Sequence, residues 1–212
     1  MHIVITGTSS GIGLALVELL CQQHTVTGID CVPSSFTHPA YQHLTLDITQ
    51  LHTLDIAPVD MLIINAGIMR RGDIMSTSLQ DMDDLYQVNI KGTMITLQMV
   101  LPLMKKGTVV FNASRHARHI TFNPVFYGLT KHAMMYIAKA LEKEYPQLDV
   151  RMLYPGPTDT PVAHQGLSKK AIDKKKHIMH TPQFVAEHIV AFLQTSHKSL
   201  VYHTATRTYE SI

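Results

Sequence analysis

HIVITGTSSGIG, residues 2 to 13, is a β-branched run that breaks into a glycine-rich turn and then opens an apolar helical pattern. Little polarity in the first five residues suits a strand covered by helices on both faces. Gly7, Gly11 and Gly13 let the backbone of the turn come close to a pyrophosphate, and the helix amino terminus that follows offers it unpaired N–H groups and the positive end of a dipole. The spacing is GxxxGxG, which departs from the GxGxxG dinucleotide fingerprint.

Outward from this turn, short β-branched runs alternate with longer helical patterns, as in a parallel sheet with crossover helices. Strands are expected at HIVIT (2–6), TVTGI (25–29), HLTL (43–46), MLIIN (61–65), TVVFN (108–112), VRMLY (150–154) and LVYH (200–203). Helices fit at 12–22, 79–105, 124–145 and 182–194, with a short one near Leu51. The expectation is a single α/β domain over residues 1–212, Rossmann-like and doubly wound, with a seven-stranded parallel sheet and helices on both faces.

The bulk properties agree with one domain. A chain of 212 residues, 45% hydrophobic and 16% charged, can bury one α/β core and is short for two. A net charge of +2 without a broad basic face implies no nucleic-acid partner. Cys21 and Cys31 cannot build a disulfide framework, no apolar stretch reaches the length of a membrane span, and MHIVIT is too short for a secretory signal. A soluble cytoplasmic protein with no membrane partner is expected. The fourteen histidines are scattered, with neither HExxH nor Cys/His ligand spacing, so no metal is expected.

Several further residues carry chemistry. Strand two ends in Asp30, where a carboxylate can accept hydrogen bonds from adenosine ribose hydroxyls. Asp47, followed by Ile48, closes strand three and either caps the next short helix or contacts the adenine amino group. Asn65, Ala66 and Gly67 form a small turn at the carboxyl end of a central strand, where ligands bind in open α/β sheets. Tyr127 and Lys131 lie four residues apart on a helix and share a face. A tyrosine hydroxyl needs about 4 kcal/mol of preference for the phenolate to titrate near 7, and one ammonium about 4 Å away at an effective dielectric near 20 supplies roughly that.

Together these motifs resemble the short-chain dehydrogenase/reductase family in its shorter branch, over residues 1 to about 162. The family's TGxxxGIG loop is matched by Thr6, Gly7, Gly11, Ile12 and Gly13, with Ser9 and Ser10 inside it. Its NAG turn is matched at 65–67, its helical asparagine by Asn89, and its serine ahead of the tyrosine by Ser114. Its PG turn and nearby threonine are matched by Pro155, Gly156 and Thr160. The resemblance implies hydride transfer between a nicotinamide cofactor and a small alcohol or carbonyl substrate. In that scheme Tyr127 is the general base or acid, Ser114 donates to the substrate oxygen, Lys131 depresses the Tyr127 pKa and binds the nicotinamide ribose, and Asn89 holds a water linking Lys131 to solvent. NAD(H) is expected over NADP(H), because Asp30 would face a 2′-phosphate and Cys31, Val32 and the loop Thr8, Ser9 and Ser10 offer no cation.

The same resemblance, with the apolar runs at 93–104 and 132–141, implies a homodimer or homotetramer. A serine hydrolase is a poor alternative, since Ser114 lies in NASRH and not GxSxG. A non-catalytic dinucleotide-binding sensor or structural protein on the same fold is the other alternative. The resemblance implies a short substrate lid near 162–181, and the chain departs from the family in trimming that lid and the carboxyl terminus. Lys169, Lys170, Lys174, Lys175 and Lys176 in that lid form a solvated helix face, or else they, or Arg115 and Arg118, steer an anionic substrate.

Overall fold

The computed structural model describes residues 1–120 and 122–212. Its chain runs β1 (His2–Thr6), α1 (Gly11–Leu20), β2 (Thr25–Asp30), β3 (Tyr41–Thr45), β4 (Met61–Ile64), α2 (Leu79–Leu85), α3 (Thr93–Val100), β5 (Gly107–Asn112), α4 (Val125–Glu144), β6 (Leu148–Tyr154), α5 (Pro161–His164), α6 (Lys169–Lys176), α7 (Pro182–Leu193), β7 (Ser199–His203) and β8 (Thr208–Ser211). The strands form one sheet in the order β3-β2-β1-β4-β5-β6-β7-β8. β1 pairs in parallel with β2 on one side, placing Thr6 beside Ile29, and with β4 on the other, placing Val4 beside Leu62. The winding therefore reverses between β1 and β4, which opens a crevice at their carboxyl ends.

Alternation along β1 divides the core. Ile3 and Ile5 join Leu16, Val17 and Leu20 of α1 and Val185, Ile189 and Phe192 of α7 on one face. Val4 points to the other, among Leu97, Val100, Met134, Ala138 and Leu141. The Met-rich stretches of the two long helical regions thus contribute largely to the core. Thr181 and Ser78 start α7 and α2 by accepting hydrogen bonds from Phe184 N and Asp81 N, as helix caps do.

Three expectations are corrected. The sheet has eight strands, the last of them antiparallel: β8 pairs with β7, Leu200 beside Ser211 and His203 beside Thr208. No helix forms near Leu51. Residues 51–59 lack regular structure, and Leu51 and Val59 are buried from an irregular segment. The single helix expected over 79–105 is a π-helical stretch, Tyr86–Gly92, between α2 and α3, with a 3-10 turn at Leu101–Leu103. Elsewhere the boundaries shift by one or two residues, as helix and strand ends do. Among the described residues no helix is long and apolar enough to cross a membrane.

Candidate active site

The turn after β1 is held by its glycines. Gly7 and Gly11 have φ of +74° and +59°, in the left-handed region. At Gly13 a Cβ would stand 1.9 Å from the Gly7 carbonyl oxygen, so this glycine allows the helix start to pack on the turn. Thr6 Oγ1 accepts from Asn65 N and Ala66 N at 3.0 Å each, and Asn65 Nδ2 donates to the carbonyls of Thr6 and Gly7 at 2.9 Å each. Asn112 Nδ2 in turn donates to Asn65 Oδ1 at 2.7 Å. The ends of β1, β4 and β5 are thereby tied into one rigid floor.

Above this floor lies a cleft of about 670 Å³. Of the residues expected in a site, Gly7, Ser10, Gly11, Ile12, Asp30, Asp47, Ile48, Asn65, Ala66, Gly67, Ser114, Tyr127, Lys131, Pro155, Gly156 and Thr160 all line it. Ser9, Gly13 and Asn89 do not line it. Ser10 caps α1 without a side-chain hydrogen bond, which leaves first-turn amides of a ten-residue helix facing the cleft. Asp30 is fixed by two backbone amides, accepting from Ser9 N at 2.9 Å and Val32 N at 3.0 Å. Asp47 accepts from Thr49 N and Thr49 Oγ1 at 2.8 Å each, so it caps a turn where no helix follows, and it also lines the cleft.

Ser114 follows β5 and caps a short 3-10 turn, accepting from His116 N at 3.2 Å. Tyr127 and Lys131 come from the first turns of α4, and all three side chains are buried. Lys131 Nζ donates to the Asn112 carbonyl at 3.1 Å and lies 5.9 Å from the Tyr127 ring centroid. Burial pushes the Tyr127 hydroxyl up to about 12, against the opposing hydrogen bond from Ser114. The same burial pulls Lys131 down to about 8.

Asn89 sits in the π-helical stretch with no exposed surface. Its Oδ1 accepts from Ile68 N, and its Nδ2 donates to Ile68 O and Thr130 Oγ1, at 2.9, 2.9 and 3.0 Å. Its side chain thus braces the loop after β4 and the start of α4. At Gly67 a Cβ would touch both Asn89 Oδ1 and Lys131 Nζ.

Sequence reasoning missed several groups. Arg71 and Gln165 clasp the lid to the loop after β4: Met69 N donates to Gln165 Oε1 at 2.7 Å, and Arg71 donates through Nε to Gln165 O at 3.0 Å and through Nη2 to Ala163 O at 2.7 Å. The carboxyl-terminal hairpin supports the PG turn. Gly156 N donates to Tyr209 Oη at 3.2 Å, and a Cβ at Gly156 would lie 2.4 Å from the Tyr202 ring. No spacing rule links these residues to the motifs. His116 packs edge-on to Tyr127, ring centroids 5.8 Å apart, and burial followed by the charges of Arg115 and Arg71 holds its pKa down to about 4. Of the five lid lysines only Lys175 lines the cleft, and Arg118 stacks over the Tyr154 ring instead.

The model of the short chain dehydrogenase family matches residues 40–171, more than half of the chain. The chain belongs to that family. An uncharacterized oxidoreductase of Staphylococcus aureus strain MW2 is 28% identical over 92% of this chain and 91% of its own length. The solved structure of a short chain dehydrogenase family protein from Francisella tularensis subsp. tularensis SCHU S4 superposes with a TM-score of 0.81 at 26% identity, covering 92% of this chain and 90% of that one. The Thermoplasma acidophilum aldohexose dehydrogenase, in ligand-free form, gives a TM-score of 0.77 at 26% identity, over 92% of this chain and 86% of its own. Membership makes this protein an oxidoreductase of the NAD(P)-dependent kind in general terms. The site fits such a cofactor on its own geometry, since the glycine turn leaves backbone where side chains would stand and the α1 amides face the same cleft.

Proposed function

We propose that the protein transfers a hydride between NAD(H) and the C–OH or C=O group of a small molecule, by a mechanism built on Ser114, Tyr127 and Lys131. The observation that carries the reading is that these three side chains, separated in sequence, line one cleft with the glycine turn and Asp30. When bound, NAD(H) supplies the hydride donor or acceptor. Gly7, Ser10, Gly11 and Ile12 would hold its pyrophosphate, Asp30 its adenosine ribose, Asp47 and Ile48 its adenine side, and Asn65, Ala66, Gly67, Pro155, Gly156 and Thr160 its nicotinamide half. Lys131 would reach the nicotinamide ribose.

Tyr127 moves the proton at the substrate oxygen. A hydroxyl titrating near 12 is protonated at neutral pH, which suits it as the acid in carbonyl reduction. In alcohol oxidation the phenolate draws support from the Lys131 cation and Ser114. Ser114 Oγ donates to the same substrate oxygen and stabilises negative charge developing there. The NAD(H) preference is supported by the cation-free surroundings of Asp30, where Cys31, Leu46 and Asp47 complete that end of the cleft. Tyr127→Phe should keep cofactor affinity while lowering turnover on a panel of alcohols and carbonyls by at least about 100-fold. Near-normal turnover in the variant would remove Tyr127 from the mechanism, and failure of the wild type to bind either dinucleotide would remove the whole reading.

A further inference from the structure

The charges along the cleft are segregated. Its two acidic lining residues, Asp30 and Asp47, lie at the ends of β2 and β3, beside the glycine turn. Arg71 and Arg115 line it from the loops after β4 and β5, and Lys175 from the lid. Both arginines line the same cleft as Tyr127, and His116, which packs against Tyr127, feels the charge of each.

Arg70 and Arg71 are neighbours with opposite fates. Arg70 pairs with Asp81 at 3.2 Å and Asp84 at 3.0 Å. Arg71 turns toward the cleft, and among the described residues neither it nor Arg115 has a carboxylate within 4.0 Å. Its guanidinium donates to the two lid carbonyls, of Gln165 and Ala163, which take two of its five N–H donors. A lid clasp accounts for those bonds and leaves the charge without a counterpart. Partly buried, a planar cation of this kind favours a two-oxygen anion.

We infer that the substrate is an alcohol or carbonyl compound bearing a carboxylate or phosphate near the reacting carbon, and that Arg71 and Arg115 hold this oxyanion. The inference rests on the oxidoreductase reading and adds the substrate class to it. Matched pairs test it: lactate with lactamide, 3-hydroxybutyrate with 3-hydroxybutyramide, and glycerol 3-phosphate with glycerol. For the fitting pair, kcat/KM should favour the charged member by at least about tenfold, the scale of a hydrogen bond to a charged group. The pair that responds distinguishes carboxylate from phosphate. Arg71→Gln and, because Arg71 also holds the lid, separately Arg115→Gln should each pull that ratio toward one.

Calorimetric titration of the Tyr127→Phe variant with NAD⁺ and each pair member gives a readout without turnover, and the charged member should bind more tightly. Ratios near one with turnover intact overturn the inference and leave the oxidoreductase reading standing. Charged members that bind but are never oxidised support the oxyanion site and overturn that reading. If no charged member is bound or oxidised, the inference fails.

Discussion

Lys131→Met probes the electrostatics of the site most directly. Burial holds Tyr127 near 12 and Lys131 near 8. Bringing a tyrosine from about 12 to neutrality takes about five pKa units, roughly 7 kcal/mol of preference for the phenolate. The Lys131 ammonium lies 5.9 Å from the ring centroid, and at an effective dielectric near 20 a unit charge at that distance contributes about 3 kcal/mol, or about two pKa units. The acid limb of kcat/KM for alcohol oxidation should therefore move up by about two units in the variant, a loss of about 100-fold at neutral pH. Cofactor affinity should fall as well, since the lysine is assigned to the ribose.

Folding stability should move the other way. A lysine whose pKa drops from 10.5 to about 8 on folding destabilises the fold throughout the range below 8, and wild-type stability rises between about 8 and 10.5 as the proton leaves. Lys131→Met lacks that rise and gains up to roughly 3 kcal/mol at pH 7, reduced by whatever the Asn112 carbonyl loses with its donor. The assays are a pH series of initial rates, a cofactor titration, and denaturant unfolding at pH 7 and pH 10. An acid limb that stays in place in an active variant would refute the reasoning.

Asp30→Ala should abolish cofactor preference: a carboxylate about 4 Å from a 2′-phosphate opposes it by roughly 4 kcal/mol per pair of charges, enough for well over 100-fold discrimination by the wild type. Fluorescence titration with NADH and NADPH reads this, and equal or tighter NADPH binding by the wild type would sink it. Leu129 and Tyr136 of α4 and Met94 of α3 are exposed apolar side chains, so light scattering should show a homodimer or homotetramer, with monomer alone at micromolar concentration as the contrary result.

The central strands were legible because both faces are buried. Ile3, Val4 and Ile5, or Leu62, Ile63 and Ile64, can be continuous apolar runs only where helices cover each side. β8 carries no such signal. Its sequence TYES alternates exposed with partly exposed residues at the sheet edge, and it forms because the chain turns back through Arg207 at φ 57° to pair with β7. The segment after Asp47 misled for the converse reason. Asp47 looks like the cap of a helix but closes only a turn at Thr49, and Leu51 and Val59 are buried from the irregular segment that follows. The π-helical stretch around Asn89 is equally silent in the sequence, and the Asn89 side chain within it bonds residues remote in the chain, Ile68 and Thr130.

The two halves of the cleft were unequally legible for a physical reason. On the dinucleotide side the constraint falls on the backbone: positive φ at Gly7 and Gly11, and close approach at Gly13, exclude most residue types, so the requirement is written locally. At the other end the cleft is lined by charges delivered by segments far apart, Arg71 after β4, Arg115 after β5 and Lys175 on α6. Whether an arginine there is available to a ligand depends on who takes the nearby carboxylates. Because Arg70 engages both Asp81 and Asp84, its neighbour is left facing the cleft without one, and nothing in the pair RR at 70–71 distinguishes the two. The availability of Arg71 is thus a property of how the ion pairs are partitioned, which only the folded arrangement discloses.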